Sequence, residues 1–345
     1  MTTLVNDPTG ALGDPAMPML RLALHPEYMA RRLQNCLPLG RQPATGDESI
    51  QPRAIHVRRH KPGRRCLIEY ELAYPGPSGG EARLTLLGKV RAKGLDHRSH
   101  AVQSALWRNG FGPPSEDRIG VPEPLGILPD LAMWLQRKVA GTSAMERLTG
   151  PAGPALAARI AAAAHKLQRR GVPANRRHTL ADELLVLRRQ LGPVAETHPA
   201  WAVRIQRVLA ASERLGAAIA PGPFVPSHRD FYPDNLLVAG EWLYLIDLDL
   251  YCEADPGLDM GNFIGHVTEF SLRTRQNPEA LADLEQALEE AFARLAGAAT
   301  RAAVRAYATL TLVRHIAIST RIPERRAWTP ALLDLCEQRL RIAAR

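Results

Sequence analysis

Residues 227 to 237 read SHRDFYPDNLL. A histidine, an arginine, two aspartates and an asparagine precede a strand-like apolar run, more polar groups than a turn requires. His228, Asp230 and Asn235 form the pattern H-x-D-x-x-x-x-N. A loop of this kind can aim one carboxylate at a substrate hydroxyl while an amide oxygen five residues on faces a metal ion. After a short turn at Ala239-Gly240 the chain continues EWLYLIDLDLY, and Asp247 ends the hydrophobic run WLYLI. A carboxylate at the end of a buried strand is rigidly held and desolvated on one side, which suits a hard oxygen ligand for Mg²⁺. Singly, Asp230 is explained as a turn former, Asn235 as a loop cap and Asp247 as a strand-end acid. Together they read as one metal-and-base site.

The elements that must position these groups differ between the two halves of the chain. Residues 1–50 form an extension rich in Pro, Gly and Asp with one helix over 25–37. From residue 51 to 140 the texture is mostly strand. Runs of β-favouring residues flank Lys61-Pro62-Gly63 as a hairpin, and a second turn at 75–80 leads into ARLTLLGKVRA. One helix over 97–110 and two strands, PEPLGIL and LAMWLQRKVAG, follow. From 141 to 345 helical apolar spacing dominates, interrupted only by the strand pair of 225–250. Thr179 with Asp182 marks a capping box, and Thr329-Pro330 an N-cap and first turn for the last helix. The fold class is α+β, an antiparallel-sheet N-terminal lobe and a mainly helical C-terminal lobe.

HRDFYPDNLL followed by LIDLDLYCEADPGLDMGNF resembles the aminoglycoside phosphotransferase and choline kinase superfamily, small-molecule kinases with a protein-kinase-like fold. The resemblance is strongest over 224–266. It implies that Asp230 is the catalytic base and that Asn235 and Asp247 hold Mg²⁺ bridging the phosphates of ATP. It further implies that Asp259 braces the catalytic loop, with His228 and Asp249 in support of the site. Such a fold needs a strand lysine for the nucleotide phosphates, and Lys89, set in an apolar strand pattern, is the candidate ahead of Lys93. Gly63 and Arg64 lie where a hairpin would cover the nucleotide, and the connector from Gln136 to Val139 would bond adenine through its backbone. Two features depart from the family pattern. The helix at 97–110 has no glutamate to pair with the lysine, only His100 and Gln103 in that region. Arg229 stands where relatives often carry glycine, and a surface or packing role is expected for it. Only eleven residues separate Asp247 from Asp259, too few for the activation loop of a protein kinase.

Composition narrows the partners. A net charge of +9 comes almost wholly from arginine, since the chain has only five lysines, and no basic run is interleaved with aromatics. Nucleic-acid binding is therefore not expected. No apolar run reaches the ~20 residues of a membrane helix, no export signal is seen, and cytoplasm is the default location. Cys36, Cys66, Cys252 and Cys336 have no metal or disulfide spacing. His165 and His315 are single histidines on helical patterns, expected to be satisfied structural residues. The expected activity is an ATP- and Mg²⁺-dependent phosphotransferase acting on a small-molecule hydroxyl: a sugar, an amino alcohol, an aminoglycoside or an anionic metabolite. The basic balance leans away from polycationic aminoglycosides. The alternative is a kinase-like nucleotide-binding protein without turnover.

Overall fold

A computed structural model describes residues 3–37, 50–76, 80–113, 115–220 and 222–343. The middle of the turn at 75–80 and the end of the 1–50 extension lie outside the described residues. The strands are β1 (Leu4–Asn6), β2 (Gln51–Lys61), β3 (Arg65–Pro75), β4 (Glu81–Arg91), β5 (Ile119–Gly120), β6 (Pro124–Leu128) and β7 (Met133–Arg137). They continue with β8 (Thr142–Ser143), β9 (Arg177–His178), β10 (Val225–Ser227), β11 (Leu236–Ala239), β12 (Trp242–Leu245) and β13 (Cys252–Ala254). The helices of the first part are α1 (Leu20–Ala23), α2 (Pro26–Cys36) and α3 (His97–Leu106). Those of the second are α4 (Ala144–Leu148), α5 (Gly153–Arg170), α6 (Leu180–Thr197), α7 (Pro199–Ala217), α8 (Leu258–Arg275), α9 (Ala282–Ala296), α10 (Thr300–Arg321) and α11 (Thr329–Ala343). Two compact units result, one of Met1–Gly112 and Val121–Ala140, the other of Pro113–Gly120 and Gly141–Arg345.

The first unit is built on a six-stranded sheet in the order β1-β2-β3-β4-β7-β6, antiparallel except for the β1–β2 pair. Alternation along the strands decides which face is covered. Leu84, Leu86 and Val90 of β4 join Ile68, Tyr70 and Leu72 of β3 in a core with Met17, Leu20, Met29 and Leu33 from the N-terminal segment. The segment before residue 50 thus supplies one side of this core. Lys89 and Leu87 take the opposite face of β4.

The second unit is mainly helical. α6, α7, α10 and α11 bury Leu187, Leu191, Ile205, Leu310, Val313, Ile316, Leu333 and Cys336 against one another. Thr179 caps α6 in a full box: its hydroxyl accepts from the Asp182 N–H, and Asp182 accepts from the Thr179 N–H at 2.8 Å. Thr329 differs from expectation. A 3-10 turn (Pro323–Trp328) runs straight into α11, so Thr329 is already helical, and its hydroxyl pairs with Ser319 at 2.8 Å instead of capping.

α8 is buried almost all round, including Asp259, Asn262, Phe263 and Val267, so no wide polar face marks it. Gly261 and Gly265 face α10 at backbone range. A Cβ on Gly261 would stand 2.5 Å from Tyr307 Cβ and 2.6 Å from the Val304 carbonyl. Gly261→Ala should therefore destabilise by ~1–3 kcal/mol, read as a lower midpoint in urea. On the neighbouring contact, the Thr268 hydroxyl donates to Glu285 at 2.7 Å, while burial raises that carboxyl from 4.5 to about 7. The folded state holds this proton more tightly than the unfolded one. Its stabilising effect is complete below about pH 4.5 and disappears as pH rises towards 7. Between pH 5 and 7.5 the melting temperature of Glu285→Gln should fall less than that of the parent.

Candidate active site

The polar loop lies wholly within the second unit, between β10 and the 3-10 turn Pro233–Asn235. β10 pairs with β13, Ser227 opposite Cys252, so the loop starts from a fixed edge. His228 is fully buried, and its Nε2 lies 2.9 Å from the Ile246 carbonyl. Asp259, in the first turn of α8, accepts the N–H of His228 at 2.7 Å and that of Arg229 at 2.8 Å. Burial pushes the Asp259 carboxyl upwards, opposed by His228 and these two N–H groups. Asn262, one turn on, donates to the Phe231 carbonyl at 2.9 Å. The backbone from 228 to 231 is therefore held from α8 at three points.

That clamp sets the side chains. Asn235 donates its amide to the Asp230 carbonyl at 2.9 Å and lies 3.2 Å from Asp230 Oδ2. This orients the amide so that its oxygen is on the other arm. The Ile246 N–H donates to the Asn235 carbonyl at 2.9 Å, which sets Asn235 beside the residue preceding Asp247. Asp247 has a φ of 60°, a left-handed turn out of β12 into the 3-10 turn Leu248–Leu250 that carries Asp249. Among the described residues no cluster of three or more His, Cys, Asp or Glu side chains could hold a metal alone. An amide oxygen and one or two carboxylates are nonetheless a hard, incomplete donor set. It fits Mg²⁺, which fills its remaining positions with phosphate oxygens and water.

Beside Asp230 the same unit has a cavity of about 660 Å³, lined by Tyr232, Asp234, His266 and His315 among others. Arg229, half-buried, takes a left-handed φ of 69° and lines this cavity. One expectation is corrected here. His315 is not a satisfied structural residue: it is buried, both ring nitrogens are without partners, and it too lines the cavity. Its helical spacing looked like that of any packed residue, so no sequence signal distinguished it.

In the first unit Lys89 stands opposite Leu67 on one side and Trp134 on the other. Its Nζ lies 4.9 Å from the Trp134 ring centroid, a cation–π contact. α3 supplies no acid. His100 meets Trp134 edge-on at 6.0 Å, and Gln103 donates to the Pro122 carbonyl and to Gln136. Gln136 is buried in β7, while Val139 is half-buried in the segment after it. Glu69 is buried on this unit's sheet between Arg58 and Lys138, which outweigh its burial and hold its carboxyl low. Gly63 takes a φ of 62° in the hairpin turn, and its N–H donates to Asp14 at 2.8 Å. Asp14 also lies 2.8 Å from His60, so this amide already has a carboxylate on it; Arg64 beside it is exposed. No spacing in the sequence connects Asp14 to a turn so far along the chain.

The sequence from residue 89 to 307 matches the model of the phosphotransferase enzyme family, and the chain belongs to that family. Its architecture is the protein-kinase-like fold of aminoglycoside phosphotransferases and choline kinases. A choline/ethanolamine kinase family protein from Mesorhizobium loti aligns with a TM-score of 0.57 at 19% identity, over 92% of this chain and 98% of its own. Choline kinase from Cryptosporidium parvum aligns with 0.58 at 10%, over 92% and 95%. A thermostable mutant of the aminoglycoside phosphotransferase APH(4)-Ia, in ternary complex with AMP-PNP and hygromycin B, aligns with 0.54 at 13%, over 82% of this chain and 92% of its own. Among curated proteins none matches the sequence. Asp259→Ala leaves two backbone donors without an acceptor. It should destabilise by ~2–4 kcal/mol, seen as a lowered melting temperature, with the loss reduced in Asp259→Asn.

Proposed function

We propose that the protein transfers the γ-phosphoryl group of ATP to a hydroxyl of a small molecule, with Mg²⁺ as cofactor, in the cytoplasm where ATP is held. The observation that supports this is the bond between Asp230 and Asn235 on a loop clamped by Asp259, with Ile246, the residue before Asp247, bonded to Asn235. Asp230 orients the acceptor hydroxyl and receives its proton. The acceptor oxygen bonds to the γ-phosphorus as the bond to the β–γ bridging oxygen breaks, and ADP leaves with that electron pair. Asn235 and Asp247 would hold Mg²⁺, which supplies charge neutralisation at the phosphates. Lys89, on its strand, would hold nucleotide phosphate, Arg64 would reach it from the hairpin, and the backbone from Gln136 to Val139 would meet the base. Gly63 would shape that hairpin turn, its own N–H being engaged by Asp14. His228 and Asp249 support the loop and the metal ligands.

The fold relative solved with AMP-PNP and hygromycin B supports a nucleotide and a small acceptor as the two ligands. The missing helix glutamate favours a second reading, a nucleotide-binding protein without turnover. ADP release in Mg-ATP, measured across sugars, amino alcohols, aminoglycosides and hydroxy acids, separates the two. One acceptor class should stimulate release, and Asp230→Ala should lower kcat by ~10²–10⁴ with little change in nucleotide affinity. Lys89→Met should instead raise the KM for ATP. Nucleotide binding with no acceptor-stimulated release would favour the second reading.

A further inference from the structure

The cavity beside Asp230 has two chemically different walls. On the loop side stand Glu146, Asp230 and Asp234, the last already accepting from the Ser143 hydroxyl at 2.7 Å. On the helix side stand Arg273 of α8, Arg314 of α10 and Arg325 of the following turn, with Glu269 as the lining carboxylate of that wall. Arg273 at 3.0 Å and Arg325 at 3.7 Å share that one acid. Arg314 is held by Glu183 at 3.2 Å and by Asn262.

Arg229 completes the basic side from the loop. Among the described residues its guanidinium makes no hydrogen bond or ion pair. Glu183 attracts it through space but is held by His178 at 2.9 Å and by Arg314. Asp182, which also feels its charge, is engaged by Thr179. A left-handed φ of 69° is unfavourable for any residue with a Cβ, and glycine would satisfy the backbone here. The chain nevertheless places an arginine there, facing the cavity.

His315 is the second, independent observation. It is 1% exposed, lines the cavity, and neither ring nitrogen has a partner. Its ring meets that of His266 at 4.4 Å, which stacks on Tyr232 at 4.6 Å. Burial, with the positive field of Arg314, Arg325 and Arg273, pushes the imidazole down to about 3, so it is neutral and has one N–H to donate. Burial, His315 and the arginines lower His266 likewise.

We propose that this wall binds an oxyanion borne by the acceptor, a carboxylate or phosphate ester, so that the phosphoryl acceptor is an anionic alcohol, selected by Arg229. The proposal rests on the kinase reading, which makes this cavity the acceptor's. A planar guanidinium matches an oxyanion with two parallel N–H donors, and the unpartnered imidazole of His315 lines the same cavity. On the helix side a cationic group would instead meet Arg273, Arg314 and Arg325 with Glu269 as the lining carboxylate, and Arg229 beside Asp230 on the loop.

The test uses the full chain saturated with Mg-AMP-PNP, which fills the nucleotide site. Three-carbon alcohols of similar size are titrated calorimetrically at equal ionic strength: D-glycerate and glycerol 3-phosphate, glycerol, and 2-amino-1,3-propanediol. At least one anion should bind tenfold or more tightly than glycerol, and the amine no better than glycerol. Arg229→Gly should lose at least tenfold in affinity for that anion without a lower melting temperature, because glycine accepts the left-handed backbone. No preference for an anion, preference for the amine, or undiminished anion binding by Arg229→Gly overturns the proposal. If AMP-PNP itself fails to bind, the kinase reading falls separately. The same titrations on the nucleotide-free chain then still decide whether the cavity takes an oxyanion.

Discussion

The Asp259 carboxylate, buried at the start of α8, accepts two consecutive backbone N–H groups from His228 and Arg229. A buried loop cannot leave such donors unpaired, so a single side chain decides the path of the segment that carries Asp230. The remaining polar contacts extend that decision. Asn262 holds Phe231, His228 meets the Ile246 carbonyl, and Asn235 bonds both Asp230 and, through its own carbonyl, Ile246. The loop that carries Asp230, the turn that carries Asp247 and helix α8 are thereby one hydrogen-bonded body.

α8 can hold this position because it lies against α10 at a distance only glycine permits, at Gly261 and Gly265. The same two helices then supply opposite duties. The N-terminal turn of α8 holds the loop, while its later turns and α10 line the cavity with Arg273, Arg314 and the paired imidazoles His266 and His315. Brace and cavity wall share elements, so substitutions that shift the helix contact would disturb both. In the first unit strand alternation does the corresponding work, turning Leu84, Leu86 and Val90 to the core and Lys89 to the other face.

Much of the architecture was legible from pattern alone, because hairpins and amphipathic helices have local signatures. The strands on either side of Lys61-Pro62-Gly63 and the box at Thr179 and Asp182 are of this kind. What was not legible lacks a local signature. α8 is buried almost all round and shows no wide polar face. Thr329 looks like a cap until a preceding 3-10 turn makes it helical. Asp14 reaches the Gly63 turn from 49 residues away in the chain.

For the site, the sequence by itself determined which groups were present and spaced for chemistry: the H-x-D-x-x-x-x-N loop, the strand-end Asp247 and a lysine on an apolar strand. Loop spacing is a local property, and a family likeness carries it. Only the tertiary structure decided what surrounds those groups. It set Trp134 beside Lys89, gave Arg229 a left-handed backbone and a cavity to face, and left His315 buried without partners. These are relations between residues far apart in sequence. No window along the chain contains them, because they arise only when helices and strands pack.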